Sequence, residues 1–305
     1  MVDTEIIRRT IRVKRSSTMS ICPICNKIVC AEHFDIWWDK NRFIWTWNSW
    51  ALAKFCSNHF DKWWNKKKFN WQESWTLARY CSEHFDIWWD TNKYNWKFGS
   101  LELAAFCDDF FDKWWDADKF NWEYSYTLAK YCHKYFDKWW DENKFNWQDA
   151  STGLAEYCTD YFVKWWNPER FDWEDASEEL ARYCHMYFTK WWDAEKFNWQ
   201  NASWALAQHC HDHFNIWWNE DKFNWEFASS FLAQCCSNYF DIWWNEDKYD
   251  WKNGSWALAR FCSDHFNKWW NPERFNPSHL RELEEYCAEH KDKWIELKLY
   301  TTLQE

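Results

Sequence analysis

The sequence predicts an all-α protein, an α-solenoid of about ten repeats of 25–26 residues with one long and one short helix each. Three observations predict this fold class. The dipeptide Trp-Trp recurs every 25 or 26 residues, a Cys recurs at the same interval, and the 305 residues include 35 Trp but only 3 Gly and 4 Pro. A fixed period in this range is the signature of repeat architectures. Few Gly leave few of the tight turns that β-hairpins require.

The repeat covers residues 30–286 in ten units, and a degenerate eleventh unit follows. The Trp pairs begin at Trp37, Trp63, Trp88, Trp114, Trp139, Trp165, Trp191, Trp217, Trp243 and Trp269. The recurring Cys residues are Cys30, Cys56, Cys81, Cys107, Cys132, Cys158, Cys184, Cys210, Cys236, Cys262 and Cys287. A unit of this size cannot bury its apolar face alone, so we expect the units to stack and share a continuous core.

The long helix of each unit is predicted from the spacing of its apolar residues. Between Leu180 and Trp192 these residues recur every three or four positions, which is the stripe of a helix with one buried face. Ser177 precedes this run, and Ser is a preferred N-cap residue. The pattern therefore predicts a helix from about Glu178 to about Trp192.

The short helix of each unit is predicted after the Trp pair, where the chain always has Asp or Asn. In Asn167-Pro168-Glu169 this residue is followed by Pro and an acid, a typical helix start. The helix should carry Phe171 and Trp173 and end before the next Ser. We place the difference between 25-residue and 26-residue units in the loop before that Ser, where a deletion costs little.

The Trp pairs and the recurring Cys fit core positions better than ligand sites, because they follow the helical period. A buried indole N–H needs an acceptor, and an Asp precedes many of the pairs (Asp35, Asp61, Asp86, Asp112, Asp137 and Asp241). A free Cys behaves as a small buried hydrophobe. Besides the first unit, which has Cys30 and His33, five units contain Cys-x-x-His, but Tyr or Phe replaces the His in the others. This exchange favours an aromatic packing position over a metal site.

The two ends of the chain depart from the repeat. Residues 1–21 carry a cluster of basic residues (Arg8, Arg9, Arg12, Lys14 and Arg15), and we expect a flexible, solvated tail there. In residues 287–305, Lys291 replaces the usual Phe and Trp294 stands without a second Trp. A terminal unit with a more polar outer face is typical of a capping helix.

Residues 22–33 contain four candidate ligands for a structural zinc ion, which are Cys22, Cys25, Cys30 and His33. Three thiolates and an imidazole can close a tetrahedral zinc site. The segment resembles the short zinc knuckles built on a Cys-Pro-x-Cys turn, although its ligand order differs from the retroviral type. Alternatively, Cys30 and His33 belong only to the first repeat, and Cys22 and Cys25 form an unrelated pair. No other cofactor is predicted.

The setting of the protein is predicted from absent signals and from one resemblance. The sequence has no apolar leader segment and no run of about 18 apolar residues, which predicts an intracellular, reducing compartment (cytoplasm, nucleus or virion) and no membrane. Over Cys30–Tyr286 the chain resembles the tryptophan-rich tandem repeats encoded by large DNA viruses, which implies an intracellular or virion setting. It also resembles tetratricopeptide arrays in its logic, but the period is 26 rather than about 34.

Candidate binding residues are found at positions that vary between units, because framework positions are shared. They are Trp47, Trp50, Trp75, Phe98, Tyr124, Tyr126, Trp204, Phe227 and Trp256. Exposed Trp and Tyr dominate the energetic hot spots of interfaces, although these side chains could instead pack on the neighbouring short helix. No catalytic motif occurs. We therefore predict a non-enzymatic adaptor or scaffold that binds another protein.

Two other functions are compatible with a repeat array. A single-stranded nucleic-acid binder would need a basic groove, and the net charge of −11 opposes it. A self-assembling structural protein of a virion would stack arrays end to end, which a polar C-terminal cap disfavours.

Overall fold

The computed structural model describes residues 21–27 and 29–302, and it confirms the all-α repeat architecture with one long and one short helix per unit. No β-strand occurs in this part of the chain. The predicted basic tail lies outside it, except for Ile21, and so do residues 303–305. None of the helices in these residues is long and apolar enough to cross a membrane. The chain divides into two compact units, Met1–Asn146 and Trp147–Glu305.

The first unit contains four layers in which a long helix lies beside the next one. Its long helices are Trp45–Phe55, Trp75–Tyr80, Trp96–Phe106 and Ser125–Tyr131. Its short helices are Phe34–Trp37, Phe60–Trp63, Phe85–Trp88, Phe111–Trp114 and Phe136–Trp139. Its 3-10 turns are Ser57–His59, Trp71–Glu73, Ser82–His84, Asp108–Phe110, Trp122–Tyr124 and His133–Tyr135.

The second unit repeats this arrangement. Its long helices are Trp147–Tyr157, Trp173–Tyr183, Trp199–His209, Trp225–Cys235, Trp251–Phe261 and Leu280–Tyr286. Its short helices are Phe162–Trp165, Phe188–Trp191, Phe214–Trp217, Phe240–Trp243 and Phe266–Trp269, and the last helix is Lys291–Thr302. Its 3-10 turns are Thr159–Tyr161, His185–Tyr187, His211–His213, Ser237–Tyr239, Ser263–His265, Pro277–His279 and Ala288–His290.

The predicted boundaries of the long helix were wrong at both ends. The helix begins at Trp173, not at Glu178, and Asp172 caps it by accepting bonds from two backbone N–H groups of the first turn. It ends before Cys184, whose carbonyl accepts from the backbone N–H of Tyr187 (2.9 Å) and from the indole N–H of Trp191 (2.9 Å). Because that carbonyl takes these two donors, the α-helical ladder stops there and a 3-10 turn follows.

The prediction of a short helix at Asn167-Pro168-Glu169 was also wrong. This segment is a turn, in which the Asn167 side chain accepts from the backbone N–H of Glu169 (3.0 Å). The short helix of each unit is instead the stretch that ends at the first Trp of the pair. Asx side chains stabilise turns as readily as helix starts, so this motif by itself does not distinguish the two.

The recurring Ser forms a hydrogen bond between layers and does not act as a helix cap. The Ser177 hydroxyl donates to the carbonyl of Trp173 (2.5 Å) and accepts from the backbone N–H of Asn198 in the next layer (3.0 Å). Equivalent contacts recur from Ser49 to Ser255. Each Ser therefore satisfies a backbone donor of the following layer inside the core.

The first Trp of each pair is buried, as predicted, except for the half-buried Trp37. The hydrogen-bond acceptor of this Trp is not the neighbouring Asp. The indole N–H donates to the carbonyl of the Cys seven residues earlier, at 2.6–2.9 Å. The Asp side chains are exposed, and several pair with a Lys of the following layer, for example Asp35 with Lys62 (2.7 Å) and Asp112 with Lys138 (2.5 Å). The short helix turns the Asp outward.

Within each unit, the recurring Cys and the aromatic residue three positions after it join a layer to the preceding one. The thiols donate to an Ala carbonyl of the preceding long helix at 3.4–3.8 Å. Three residues further on, a His, Tyr or Phe ring stacks on the preceding Phe, with centroids 4.3–4.6 Å apart. The prediction of an aromatic packing position is confirmed.

Candidate functional site

The four predicted zinc ligands lie together at the start of the first unit. The ligand atoms of Cys22, Cys25, Cys30 and His33 are all within 4.8 Å of one another, and the Cys30 sulfur is 3.5 Å from Nδ1 of His33. Cys22 and Cys30 are buried. Tetrahedral zinc with bonds of about 2.3 Å to sulfur separates its ligands by about 3.8 Å, so a small contraction would complete the site.

The backbone of this cluster forms a tight turn that holds the sulfur atoms of Cys22 and Cys25 within 4.8 Å of each other. The N–H of Cys22 donates to the carbonyl of Lys27 (2.8 Å), and the N–H of Asn26 donates to the carbonyl of Cys22 (2.9 Å). Asn26 and Val29 have φ angles of 59° and 52°. The left-handed region is costly for a β-branched residue such as Val29, and this strain lies directly beside Cys30.

The two thiols of the turn differ in acidity. The pKa of Cys25 is lowered to about 6, chiefly because the backbone N–H of Lys27 donates to its sulfur, with His33 and the other two thiols adding to the effect. Burial raises the pKa of Cys22. Thiolate, not thiol, is the form that binds metal. The cluster therefore combines donor types, proximity and one readily ionised sulfur.

Cys30 and His33 occupy the framework positions that Cys56 and His59 occupy in the next layer. There the ring of His59 stacks on Phe34 of the preceding layer, and equivalent thiols bond to preceding Ala residues, for example Cys81 to Ala53. The described residues before Cys30 form no helical layer. The thiols of Cys22 and Cys25 lie near the Cys30 sulfur and the His33 ring, where other layers have the Ala carbonyl and the Phe ring of the layer before.

The candidate binding residues fall into two groups that the sequence did not separate. Trp47, Phe98 and Phe227, in the first turn of their long helices, are 79%, 57% and 65% exposed. Tyr124, in the corresponding 3-10 turn, is half-buried.

All members of the second group are half-buried; they are Trp50, Trp75, Tyr126, Trp204 and Trp256. Their rings lie against other aromatic rings or polar groups, as Trp204 lies against Phe231 (5.3 Å between centroids) and the Trp75 indole against the Glu73 carboxylate (3.1 Å). The structure therefore separates exposed from half-buried candidates, and Trp204 packs on the neighbouring long helix rather than on the short helix that the second alternative named.

A third set of surface residues was missed because it looks like framework. The residue before each recurring Cys is aromatic in most units, and the pattern included Tyr183 in the buried stripe. In the structure Phe55, Phe106 and Tyr131 are exposed, and Tyr183 is half-buried. The signal that could have revealed Phe55, Tyr131 and Tyr183 is the basic residue directly before each of them, since a cation beside a ring is typical of a surface position. Phe106 follows Ala105 and carries no such signal.

The chain matches no protein-family model, no curated protein and no solved structure.

Proposed function

We propose that this chain is a non-enzymatic scaffold that binds another protein through the outward residues of its long helices. The observation that carries the proposal is the exposure of Trp47, Phe98 and Phe227 at positions that differ from layer to layer. Large exposed aromatic side chains concentrate binding energy.

The repeat separates positions that stack the layers from positions that are free to contact a partner. The framework positions, which carry Leu, Ala, Ser, Cys, Phe and the first Trp of each pair, are nearly constant between layers and are buried, except for the half-buried Trp37. Stacking therefore explains their identities. The first-turn positions carry Trp, Phe, Tyr, acids or amides in different layers. Stacking does not require that variation, whereas recognition of one partner by a repeat array does.

The test is affinity capture by the intact chain from a cell lysate, with and without nuclease. We expect a discrete protein to be retained after nuclease and to be lost from the double variant Trp47→Ala/Phe98→Ala. The matched control is Val163→Ala, because Val163 is 69% exposed on a short helix. Recovery of nucleic acid alone, or equal capture by both variants, contradicts the proposal.

The Cys22, Cys25, Cys30 and His33 cluster would hold one structural zinc ion. Its donor set, three thiols and one imidazole, is one that zinc favours, and its ligand atoms are already within 4.8 Å of one another. Zinc would join the turn to the first layer and cap the start of the array. Binding energy of a structural zinc adds directly to folding stability.

Zinc content and thermal stability test this assignment. We expect about one zinc per chain by native mass spectrometry, absent from Cys22→Ser/Cys25→Ser, together with a lower unfolding temperature for that variant and for chelated wild type. Cys235→Ser is the control, because Cys235 is a half-buried thiol outside the cluster. Well under one zinc per chain in protein prepared without chelator would remove the assignment.

A further inference from the structure

One face of the first unit combines aromatic and basic side chains without acids. It consists of three positions in each of four adjacent long helices, and we call it the aromatic–basic face: Trp50, Lys54, Phe55, Trp75, Arg79, Tyr80, Leu101, Ala105, Phe106, Tyr126, Lys130 and Tyr131. Seven of these twelve residues are aromatic and three are basic. The equivalent positions of the second unit include Glu156, Glu178 and Glu285, so the composition is particular to the first unit.

The cations of this face lie on aromatic rings. Lys54 is 5.3 Å from the Phe55 ring, and Arg79 is 5.7 Å from Tyr80 and 5.5 Å from Phe106 in the next layer. Lys54 and Arg79 form no ion pair within the part of the chain that the structure describes. By contrast, Lys and Arg residues on the short helices and turns repeatedly pair with an acid of the preceding layer, as Lys144 pairs with Asp118 (2.8 Å).

Two acids border the face without neutralising it. Glu73 accepts the indole N–H of Trp75. Glu102 is 9% exposed, and one of its oxygens has no hydrogen-bond partner among the described residues. Burial raises the pKa of Glu102, and Arg79 opposes that rise. The accessible charge of the face is therefore positive on a chain whose net charge is −11.

We infer that this face binds an extended peptide segment of a partner protein in which acidic residues are interspersed with aromatic or aliphatic ones. The inference rests on the proposed scaffold function and names the chemistry of its partner. Acidic side chains would reach Lys54 and Arg79, and apolar side chains would cover the exposed rings of Phe55 and Phe106. Rings with a cation beside them offer both kinds of contact within one layer.

The dimensions of the face set the length of the segment. Neighbouring helix axes lie about 8–10 Å apart, so four layers span about 24–30 Å. An extended chain rises about 3.3 Å per residue, and a segment of roughly eight residues crosses all four. A single nucleic-acid strand would instead bring one phosphate with every nucleotide, so uncharged residues could not dilute its negative charge. Three cations on an acidic protein match the sparse charge of a peptide better than that density.

The experiment is selection of twelve-residue peptides from a random displayed library by the full chain. Enriched sequences are then synthesised, and their affinity is measured by fluorescence anisotropy. We expect enrichment of Asp and Glu next to aromatic or aliphatic residues. Affinity should fall about tenfold or more in Lys54→Glu/Arg79→Glu and should weaken with added salt.

The control carries the same charge change on other surfaces. Lys67→Glu/Lys113→Glu alters an exposed turn and an exposed short-helix position, and it should change affinity less than about threefold. Enriched peptides without acidic residues, or equal loss in both variants, overturns the inference. Binding of a twenty-nucleotide oligothymidylate that is lost only in Lys54→Glu/Arg79→Glu also overturns it, in favour of nucleic acid.

These outcomes separate the inference from the proposed function. If the lysate capture depends on Trp47 and Phe98 but no acidic peptide is selected, the scaffold remains and only the partner chemistry is wrong. If no protein is captured in either experiment, the scaffold function itself is wrong.

Discussion

At the scale of single residues, two glycines are explained by the tyrosine five residues before them. The Tyr94 hydroxyl donates to the carbonyl of Gly99 (2.9 Å), and a Cβ on Gly99 would lie 2.5 Å from that hydroxyl oxygen. Tyr249 and Gly254 repeat the arrangement. Four other layers have Phe followed by Ala (Phe145 with Ala150, Phe171 with Ala176, Phe197 with Ala202, and Phe223 with Ala228). Relative to the Phe–Ala pairs, the Tyr–Gly pairs gain a hydroxyl on the ring and lose the methyl group that would collide with it. The two exchanges are therefore coupled.

This coupling predicts a double-mutant cycle with a large interaction energy. We expect Gly99→Ala alone to destabilise the chain by about 1–3 kcal/mol through overpacking, and Tyr94→Phe alone by about 1 kcal/mol through loss of a buried hydrogen bond. The combination Tyr94→Phe/Gly99→Ala restores the Phe–Ala pair and should approach wild-type stability. Thermal and denaturant unfolding measure all four proteins. Additive losses in the double variant would contradict the coupling.

At the scale of elements, the 25-residue and 26-residue units differ inside the helix, not in the loop where we predicted the deletion. In a 26-residue unit Trp96 and Ser100 are four residues apart in an α-helix, and in a 25-residue unit Trp71 and Ser74 are three apart across a 3-10 turn. Four α-helical residues rise about 6 Å, and three 3-10 residues rise about 6 Å. The Ser thus keeps its height and its bond to the next layer.

This equivalence predicts that a residue can be restored without harm. Insertion of Ala between Glu73 and Ser74 should convert the 3-10 turn into the first turn of an α-helix, with unchanged or higher unfolding temperature and slightly higher helix content. The matched control is the same insertion between Asp175 and Ala176, where the α-helical turn is already complete. It should shift Ser177 out of register and lower the unfolding temperature. Circular dichroism follows both quantities, and equal effects would refute the equivalence.

At the scale of the whole molecule, the recurring thiols make the core sensitive to alkali. Burial raises the pKa of Cys56, Cys81, Cys210, Cys262 and Cys287 from 9.0 to about 12, and raises that of other core cysteines further. These groups stay protonated in the folded chain at pH values where the unfolded chain has lost the protons. Their contribution to stability is therefore complete below about pH 9 and is lost as pH rises toward 12.

We expect the free energy of unfolding to be nearly constant from pH 7 to 8.5 and to fall steeply above about pH 9. Each core thiol contributes a slope of about 1.4 kcal/mol per pH unit. Denaturant unfolding in the presence of reductant measures the slope. The variant Cys107→Ala/Cys132→Ala, which removes two of the core thiols, should make the fall in stability above about pH 9 less steep. Buried Tyr94 and Tyr249 act in the same direction, because burial also raises their pKa values. Constant stability up to pH 10.5 would contradict this account.

The sequence by itself determined the fold class, the period and the core, because stacked layers demand the same residue types at the same positions in every unit. It also identified the four residues of the candidate metal site, which the structure brings together, since ligand type and spacing are local properties. The sequence also predicted that the first Trp, the Cys and the ring after it are packing positions. Trp63, Cys56 and His59 show this, since the first two are buried and the His59 ring stacks on Phe34.

Only the tertiary structure decided how these residues are used. Each long helix ends at a Cys whose carbonyl accepts the indole N–H of the Trp seven residues later. The recurring Ser forms a hydrogen bond to the next layer and does not cap the helix. The separation of exposed Trp47 from half-buried Trp50, and the exposure of Phe55, likewise depend on the neighbouring layer. Helical periodicity fixes which face a residue lies on, but contacts between layers decide which donor finds which acceptor and which ring remains open to a partner.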